Sequence, residues 1–133
     1  SAYNLDPAAG TLSALQTITT LPDGYTDRNT CSQIQISASG RFLYVPNRGH
    51  NSIAGFSVDP ASGTLSAAGH VATQPVPRAF NLDPQGKFVY AAGLETGNLT
   101  SYVIDQATGE LTPSEIYPVG KRPMWVLTTE LSG

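Results

Sequence analysis

The chain has 133 residues, enough for one domain of ordinary size; 40% of them are hydrophobic and only 13% are charged. This balance excludes a disordered chain, and a net charge of −3 leaves no basic surface for nucleic acid or an anionic membrane. No run approaches the roughly eighteen apolar residues of a transmembrane helix. The 13 glycines and 10 prolines separate short apolar runs, which indicates an all-β fold.

The single cysteine, Cys31, has no second cysteine with which to form an internal disulfide. This fits a reducing compartment, and we expect a cytoplasmic protein. The sequence contains no glycine-rich phosphate loop, no cysteine–histidine metal set and no Gly-x-Ser-x-Gly nucleophile motif. We therefore expect neither a cofactor nor a metal ion.

The first predicted element is a pair of strands within residues 1–20. Residues 4–14 repeat residues 57–67 at an offset of 53 positions, so we assign them to the outer strands of a partial repeat unit. This offset is seven residues longer than the offset of 46 found further along the chain. The additional residues fall in the loop 21–30.

Two complete units follow, over residues 31–74 and 77–119. Residues 33–67 align with residues 79–113 at a constant offset of 46 without a gap. Four short strands are predicted in each unit, at 33–37, 42–46, 52–58 and 65–71 in the first and at 79–82, 88–92, 99–104 and 111–117 in the second. A period of about 40–50 residues with four strands per unit is typical of β-propeller blades.

The predicted turns and the last segment complete this pattern. Gly40 and Gly86 stand in tight turns that need a positive φ. In the longer turn between strands three and four, Asp59 and Asp105 can accept backbone hydrogen bonds. Residues 123–126 repeat residues 77–80, so we expect residues 123–129 to form the inner strand of a further, closing blade.

Three stretches are specific in residue type as well as in spacing: QISASGRFLYVPNRGHNSIAGFSVDPASGTLS, QPVPRAFNLDPQGKFVYAAG and YPVGKRPMWVL. They resemble the lactonase family of seven-bladed β-propellers, which includes bacterial 6-phosphogluconolactonases and fungal carboxymuconate cyclases. The resemblance implies a C-terminal fragment with two complete four-stranded blades and partial blades at both ends. Each end would expose an apolar face and strand edges, so we expect self-association or a companion fragment.

Two arginines break the internal repeat and are the candidate substrate-binding residues. Arg78 stands at the start of a strand one, where the equivalent residues are Ser32 and Met124. Arg48 follows a strand two, where the equivalent residue is Leu94. A guanidinium can bind a phosphate or carboxylate through two parallel hydrogen bonds. The resemblance places both arginines near the ligand cleft, and the alternatives are a solvated side chain or a structural ion pair.

The candidates for catalysis are less specific. His50 could be a general acid or base, a common role of histidine, although a lone loop histidine is more often a surface residue. Blades of the lactonase family commonly carry an acid and a histidine where this chain has Gln33 and Gln35. A glutamine can donate a hydrogen bond to an oxyanion but cannot act as a base. The resemblance thus leaves open a divergent lactonase or a propeller that binds without turnover.

Three functions remain open from the sequence. The first is hydrolysis of a lactone, in which water adds to the carbonyl while Arg48 and Arg78 hold the anionic end of the substrate. The second is a cycloisomerase that acts on a carboxylated muconate and moves a proton instead of adding water. The third is a non-catalytic propeller that binds a ligand or a protein. Both enzymes would take a small anionic lactone or sugar acid, and we expect the fragment alone to be inactive.

Overall fold

The computed structural model describes residues 1–130 and consists of three antiparallel sheets. The first sheet is a hairpin of two strands, and each of the other two has four strands. The strands are β1 (Ala2–Asp6), β2 (Thr11–Gln16), β3 (Gln35–Ile36), β4 (Phe42–Asn47), β5 (Ser52–Val58), β6 (Leu65–Ala72), β7 (Pro77–Leu82), β8 (Phe88–Gly93), β9 (Asn98–Ile104) and β10 (Leu111–Pro118).

The two four-stranded sheets are copies of one unit. Strands β3 to β6 lie side by side in chain order, and β7 to β10 do the same. The starts of β4, β5 and β6 precede those of β8, β9 and β10 by 46 residues, the offset of the sequence repeat. The predicted all-β blade fold is therefore confirmed. Residues 1–130 include no helix long and apolar enough to cross a membrane.

The inner strand of the first complete blade is shorter than predicted. Only Gln35–Ile36 forms a ladder with β4, whereas the sequence predicts a strand over 33–37. Continuing the register would pair Gln33 with Pro46, which has no backbone N–H to donate. The Ser32 N–H instead donates to the Pro46 carbonyl at 3.3 Å. In the second blade the equivalent residue is Ala92, and β7 extends over six residues.

Residues 123–129, predicted as an inner strand, form no strand within the described part of the chain. They nevertheless lie beside β7, because the Asn81 amide donates to the Val126 carbonyl at 3.3 Å and the Thr128 hydroxyl donates to the Leu82 carbonyl. An inner strand forms its ladder with strand two of its own blade, as β7 does with β8. No such second strand follows within residues 1–130, so this segment has the position of an inner strand without its pairing.

The hydrophobic core lies between the sheets. One face of the first four-stranded sheet packs against the second sheet, and the cluster comprises Phe42, Tyr44, Ile53, Phe80, Leu82, Val89, Ala91, Tyr102 and Ile104. A smaller cluster on the other face joins Val45, Ala54 and Phe56 to Ile18, which follows the hairpin. Burying one large apolar side chain contributes about 1.5–3 kcal/mol. Contact between neighbouring blades is therefore a main source of the stability of this fold.

Two tyrosines connect the blades through hydrogen bonds that run in opposite directions. The Tyr44 hydroxyl donates to the Gly109 carbonyl at 2.8 Å, and the Tyr102 hydroxyl donates to the Ala72 carbonyl at 3.1 Å. Both side chains are buried, and desolvation raises the pKa of Tyr44 to about 12. Both phenols therefore stay neutral at ordinary pH and remain available as donors.

The second four-stranded sheet has an uncovered face. In the first sheet, Phe42, Tyr44, Ile53 and Val71 of this face contact the next blade. Their equivalents 46 residues later, Phe88, Tyr90, Leu99 and Tyr117, have no further sheet against them within residues 1–130. Three of the four are half-buried, and Tyr117 is 43% exposed. We name these four residues the distal face.

Candidate functional site

The two arginines that break the repeat lie on one open cavity of about 300 Å³. Its lining residues are Ser32, Gln33, Arg48, Arg78, Met124 and Trp125. Five of these six stand at two equivalent positions in successive repeat units. Inner strands of neighbouring blades lie side by side around a common axis, so equivalent positions come together there. The cavity is thus built at the inner edge of the sheets.

Other concavities of the described residues include two that lie away from the inner strands. One, of about 240 Å³, lies between outer strands of the two complete blades and includes His70 and Glu110. The other, of about 560 Å³, lies beside Phe88 and Tyr90 of the distal face. Neither has an arginine among its described lining residues. The inner cavity is therefore the candidate site for an anion.

Arg48 is held at the cavity by the chain segment that precedes β3. Its Nη2 donates to the Cys31 carbonyl at 2.8 Å, and its backbone N–H donates to the Thr30 carbonyl at 2.8 Å. The Nε atom is buried and has no hydrogen-bond partner among the described residues. A buried donor without a partner is costly, so this arginine is held in place at some expense of stability.

Arg78 is the second residue of β7 and follows a strained position. Val76 has a φ of 54°, which is unusual for a β-branched residue, and its backbone N–H donates to the Asn51 side-chain oxygen at 2.9 Å. This geometry fixes how the chain enters β7. The half-buried Arg78 side chain lines the same cavity as Arg48, which the β4–β5 turn carries.

Gln33 lines the same cavity, and its amide is oriented by the next blade. The Phe80 N–H donates to the Gln33 side-chain oxygen at 3.1 Å, which leaves the amide nitrogen as the free donor end. The Ser32 hydroxyl donates to the Pro77 carbonyl at 3.0 Å. These two bonds join the inner strands of neighbouring blades.

The remaining candidates do not reach this cavity among the described contacts. Gln35 pairs with Tyr44 in the β3–β4 ladder. The His50 ring nitrogen Nδ1 is 2.8 Å from the Ser52 hydroxyl, and the His50 ring lies 6.1 Å from that of His70. His50 therefore belongs to a polar cluster behind the β4–β5 turn. Its catalytic role stays a prediction that this geometry does not favour.

Two asparagines near Arg48 were missed by the sequence analysis. Asn47 is a fully buried polar residue, and Asn29 contacts it from the loop 21–30. The repeat contained the signal for Asn47, because the equivalent residue in the next blade is Gly93. For Asn29 the sequence held no such signal, because it lies in the loop 21–30, outside the residues 33–67 that align with the next unit.

The cavity suits binding of an anion or of an oxygen that gains negative charge. Arg48 and Arg78 supply positive charge, and Gln33 supplies a neutral donor. No carboxylate or histidine is among the described lining residues. Across residues 1–130, no group of three or more histidine, cysteine, aspartate or glutamate side chains is arranged to hold a metal ion.

The sequence matches one family model over nearly its whole length: the model described as "Lactonase, 7-bladed beta-propeller" covers residues 1–128. A 6-phosphogluconolactonase of Pectobacterium carotovorum subsp. carotovorum (strain PC1) is 40% identical over 124 residues, which cover 93% of this chain and 37% of that protein. A 6-phosphogluconolactonase of Serratia proteamaculans (strain 568) is also 40% identical over 124 residues, which cover 93% and 38%. This chain thus spans less than two-fifths of the length of these relatives.

Solved structures share the fold over most of the chain. A protein from Lactobacillus plantarum superposes with a TM-score of 0.87 at 33% identity, covering 92% of this chain and 36% of that one. The periplasmic gluconolactonase of Pseudomonas aeruginosa superposes with a TM-score of 0.78 at 33% identity, covering 84% and 32%. The arrangement of blades described here therefore recurs in larger proteins.

Proposed function

Because the chain belongs to the lactonase family of seven-bladed β-propellers, we propose that it is the C-terminal part of a lactone hydrolase whose substrate is a small anionic lactone. The observation that carries this proposal is the inner cavity, where Arg48 and Arg78 lie together without a lining carboxylate. The curated relatives at about 40% identity are 6-phosphogluconolactonases, so a phosphate on a sugar lactone is the anionic group that we favour.

The cavity residues have different roles in the proposed ester hydrolysis. The two guanidiniums bind the anionic group and fix the lactone ring in the cavity. The free amide donor of Gln33 stabilises the oxygen that becomes negative when water adds to the carbonyl. A glutamine cannot take the proton from that water, so the base comes from outside the six described lining residues.

The cycloisomerase alternative receives less support from the comparisons, because the curated relatives at about 40% identity are 6-phosphogluconolactonases. Both reactions need a base, and the described lining residues provide none. A non-catalytic binding propeller would use the same arginines. Substrate turnover separates it from a lactonase.

The test is to replace Arg48 or Arg78 by alanine in the full-length protein, with Lys87→Ala as the control. Lys87 is exposed and lies away from the cavity lining. We expect either arginine variant to weaken binding of the phosphorylated lactone by about 1.5–3 kcal/mol, the usual loss for a charge-assisted hydrogen bond. Lys87→Ala should leave binding unchanged. Equal and negligible effects of all three changes would show that the arginines are structural.

The distal face is the basis of a further proposal about partners. Its residues, Phe88, Tyr90, Leu99 and Tyr117, repeat the apolar pattern that the first blade buries against the second. We propose that a companion blade or a second copy of the chain covers this face. A cytoplasmic location stays a prediction.

A further inference from the structure

The loop 21–30 lies directly on the β4–β5 turn that carries Arg48. A β-carbon placed on Gly49 would lie 2.8 Å from Asn29 Cα and would overlap the Arg28 carbonyl oxygen. The Asn29 side-chain oxygen accepts hydrogen bonds from the backbone N–H groups of Gly49 at 2.9 Å and His50 at 3.1 Å. The two residues after Arg48 are therefore fixed by one side chain of this loop.

The residue before Arg48 is fixed by the same loop. Asn47 is fully buried, and its side-chain oxygen accepts hydrogen bonds from the Asn29 amide at 3.0 Å and from the Thr20 hydroxyl at 2.9 Å. Its own amide donates to the Thr20 carbonyl at 2.6 Å and to the Ser52 hydroxyl at 3.3 Å. Buried side-chain networks that are fully hydrogen-bonded hold one geometry.

The second complete blade shows what the unit looks like without this network. There the equivalents of Asn29, Asn47 and Arg48 are Pro75, Gly93 and Leu94. The backbone bond from residue 48 to residue 30 recurs, because the Leu94 N–H donates to the Val76 carbonyl at 3.0 Å. The side-chain bonds have no counterpart, since neither proline nor glycine has a polar side chain. The asparagine pair thus accompanies the arginine and is not needed to form a blade.

We propose that Asn29 and Asn47 are positioning residues that hold Arg48 for the anionic group of the substrate, an inference that rests on the function proposed above. Three successive residues hold this part of the chain. The Asn29 side chain accepts a hydrogen bond from the Gly49 N–H, and the carbonyls of Thr30 and Cys31 accept from the backbone and the guanidinium of Arg48. A long arginine side chain loses much freedom when it binds a ligand, so fixing it beforehand improves binding.

The test compares Asn29→Ala, Arg48→Ala and the double variant in the full-length protein, with the phosphorylated lactone as substrate. Asp105→Ala is the matched control, because the Asp105 side-chain oxygen also accepts hydrogen bonds from two successive backbone N–H groups, but in an exposed turn outside the cavity lining. We expect Asn29→Ala to raise KM about tenfold with kcat within about twofold, and Asp105→Ala to change KM less than about twofold.

The double variant distinguishes positioning from a general structural effect. If Asn29 acts through Arg48, adding Asn29→Ala to Arg48→Ala raises KM by less than about twofold. A full tenfold rise on that background, or no rise in the single Asn29 variant, overturns the inference while leaving the proposed function intact. If Arg48→Ala itself leaves KM unchanged, Arg48 does not bind the substrate and this inference fails, whereas the proposed function fails only if the native protein does not turn over the phosphorylated lactone. Should Asn29→Ala not fold, Asn47→Gly replaces it in the comparison, because the next blade carries glycine at that position.

Discussion

The contact between the two complete blades can be tested at Gly109, in the turn between β9 and β10. This glycine has a φ of +79°, and a β-carbon on it would overlap the Phe42 ring, 2.7 Å from Cε1 and 2.8 Å from Cγ. The equivalent turn of the previous blade has Gly63, with a φ of +72° and only Leu15 Cδ2 nearby, at 3.7 Å. Both glycines share the backbone requirement, but only at Gly109 would the β-carbon overlap a side chain of the neighbouring sheet. The pair therefore separates backbone strain from crowding.

The expected cost of each alanine follows from these distances. An L-residue in the left-handed region costs about 1–2 kcal/mol, and this applies equally to Gly63→Ala and Gly109→Ala. Crowding a well-packed contact costs about 1–3 kcal/mol more, and this applies only to Gly109→Ala. We therefore expect Gly109→Ala to lower the free energy of unfolding by roughly 2–5 kcal/mol, and Gly63→Ala by roughly 1–2 kcal/mol.

Urea unfolding of the full-length protein, followed by tryptophan fluorescence, measures both variants in one background. In a Phe42→Ala background, adding Gly109→Ala should lower the free energy of unfolding only by about as much as Gly63→Ala does, because the crowding needs the ring. Equal losses for Gly63→Ala and Gly109→Ala would refute the reasoning. They would mean that the blades do not meet at Gly109.

Two other predictions concern the blade contact and the distal face. Burial raises the pKa of Tyr44 from 10.0 to about 12, so its contribution to stability is complete below about pH 10 and is lost as the pH rises towards 12. The unfolding midpoint should therefore fall more steeply over this range in the native protein than in Tyr44→Phe, and parallel pH curves would contradict this. Light scattering of the 133-residue chain should give a mass above 14.0 kDa at high concentration, and Phe88→Lys should lower it. A monodisperse 14.0 kDa species would count against association through the distal face.

The internal repeat made most of the fold predictable. The predictions that were wrong concern segments where one repeat unit differs from the other. Strands β4 to β6 and β8 to β10 follow the 46-residue offset because their turns and core positions are the same. The prediction for β3 was too long because it ignored the missing N–H of Pro46. The predicted strand at 123–129 has no ladder, since a strand depends on a neighbour that lies outside any local pattern.

The comparison of the repeat units also predicted part of the candidate site. Arg48 and Arg78 attracted attention because they break the repeat and carry charge, and the structure brings them to one cavity. Asn47 breaks the repeat equally but was missed, because a neutral residue next to an arginine gives no obvious chemical signal. The contact of Asn29 depends on how the loop 21–30 folds back, and loop paths are not determined by local sequence. The roles of all four residues stay predictions.

The two blades are joined at two distances from the axis. Near the axis, Ser32 bonds to the Pro77 carbonyl, and further out Tyr102 bonds to the Ala72 carbonyl on the outermost strand β6. Two such points along a radius fix the wedge angle between neighbouring sheets. In a closed ring that angle sets how many blades complete the circle. A side chain added where the outer strands of these two blades meet would therefore widen the angle between their sheets.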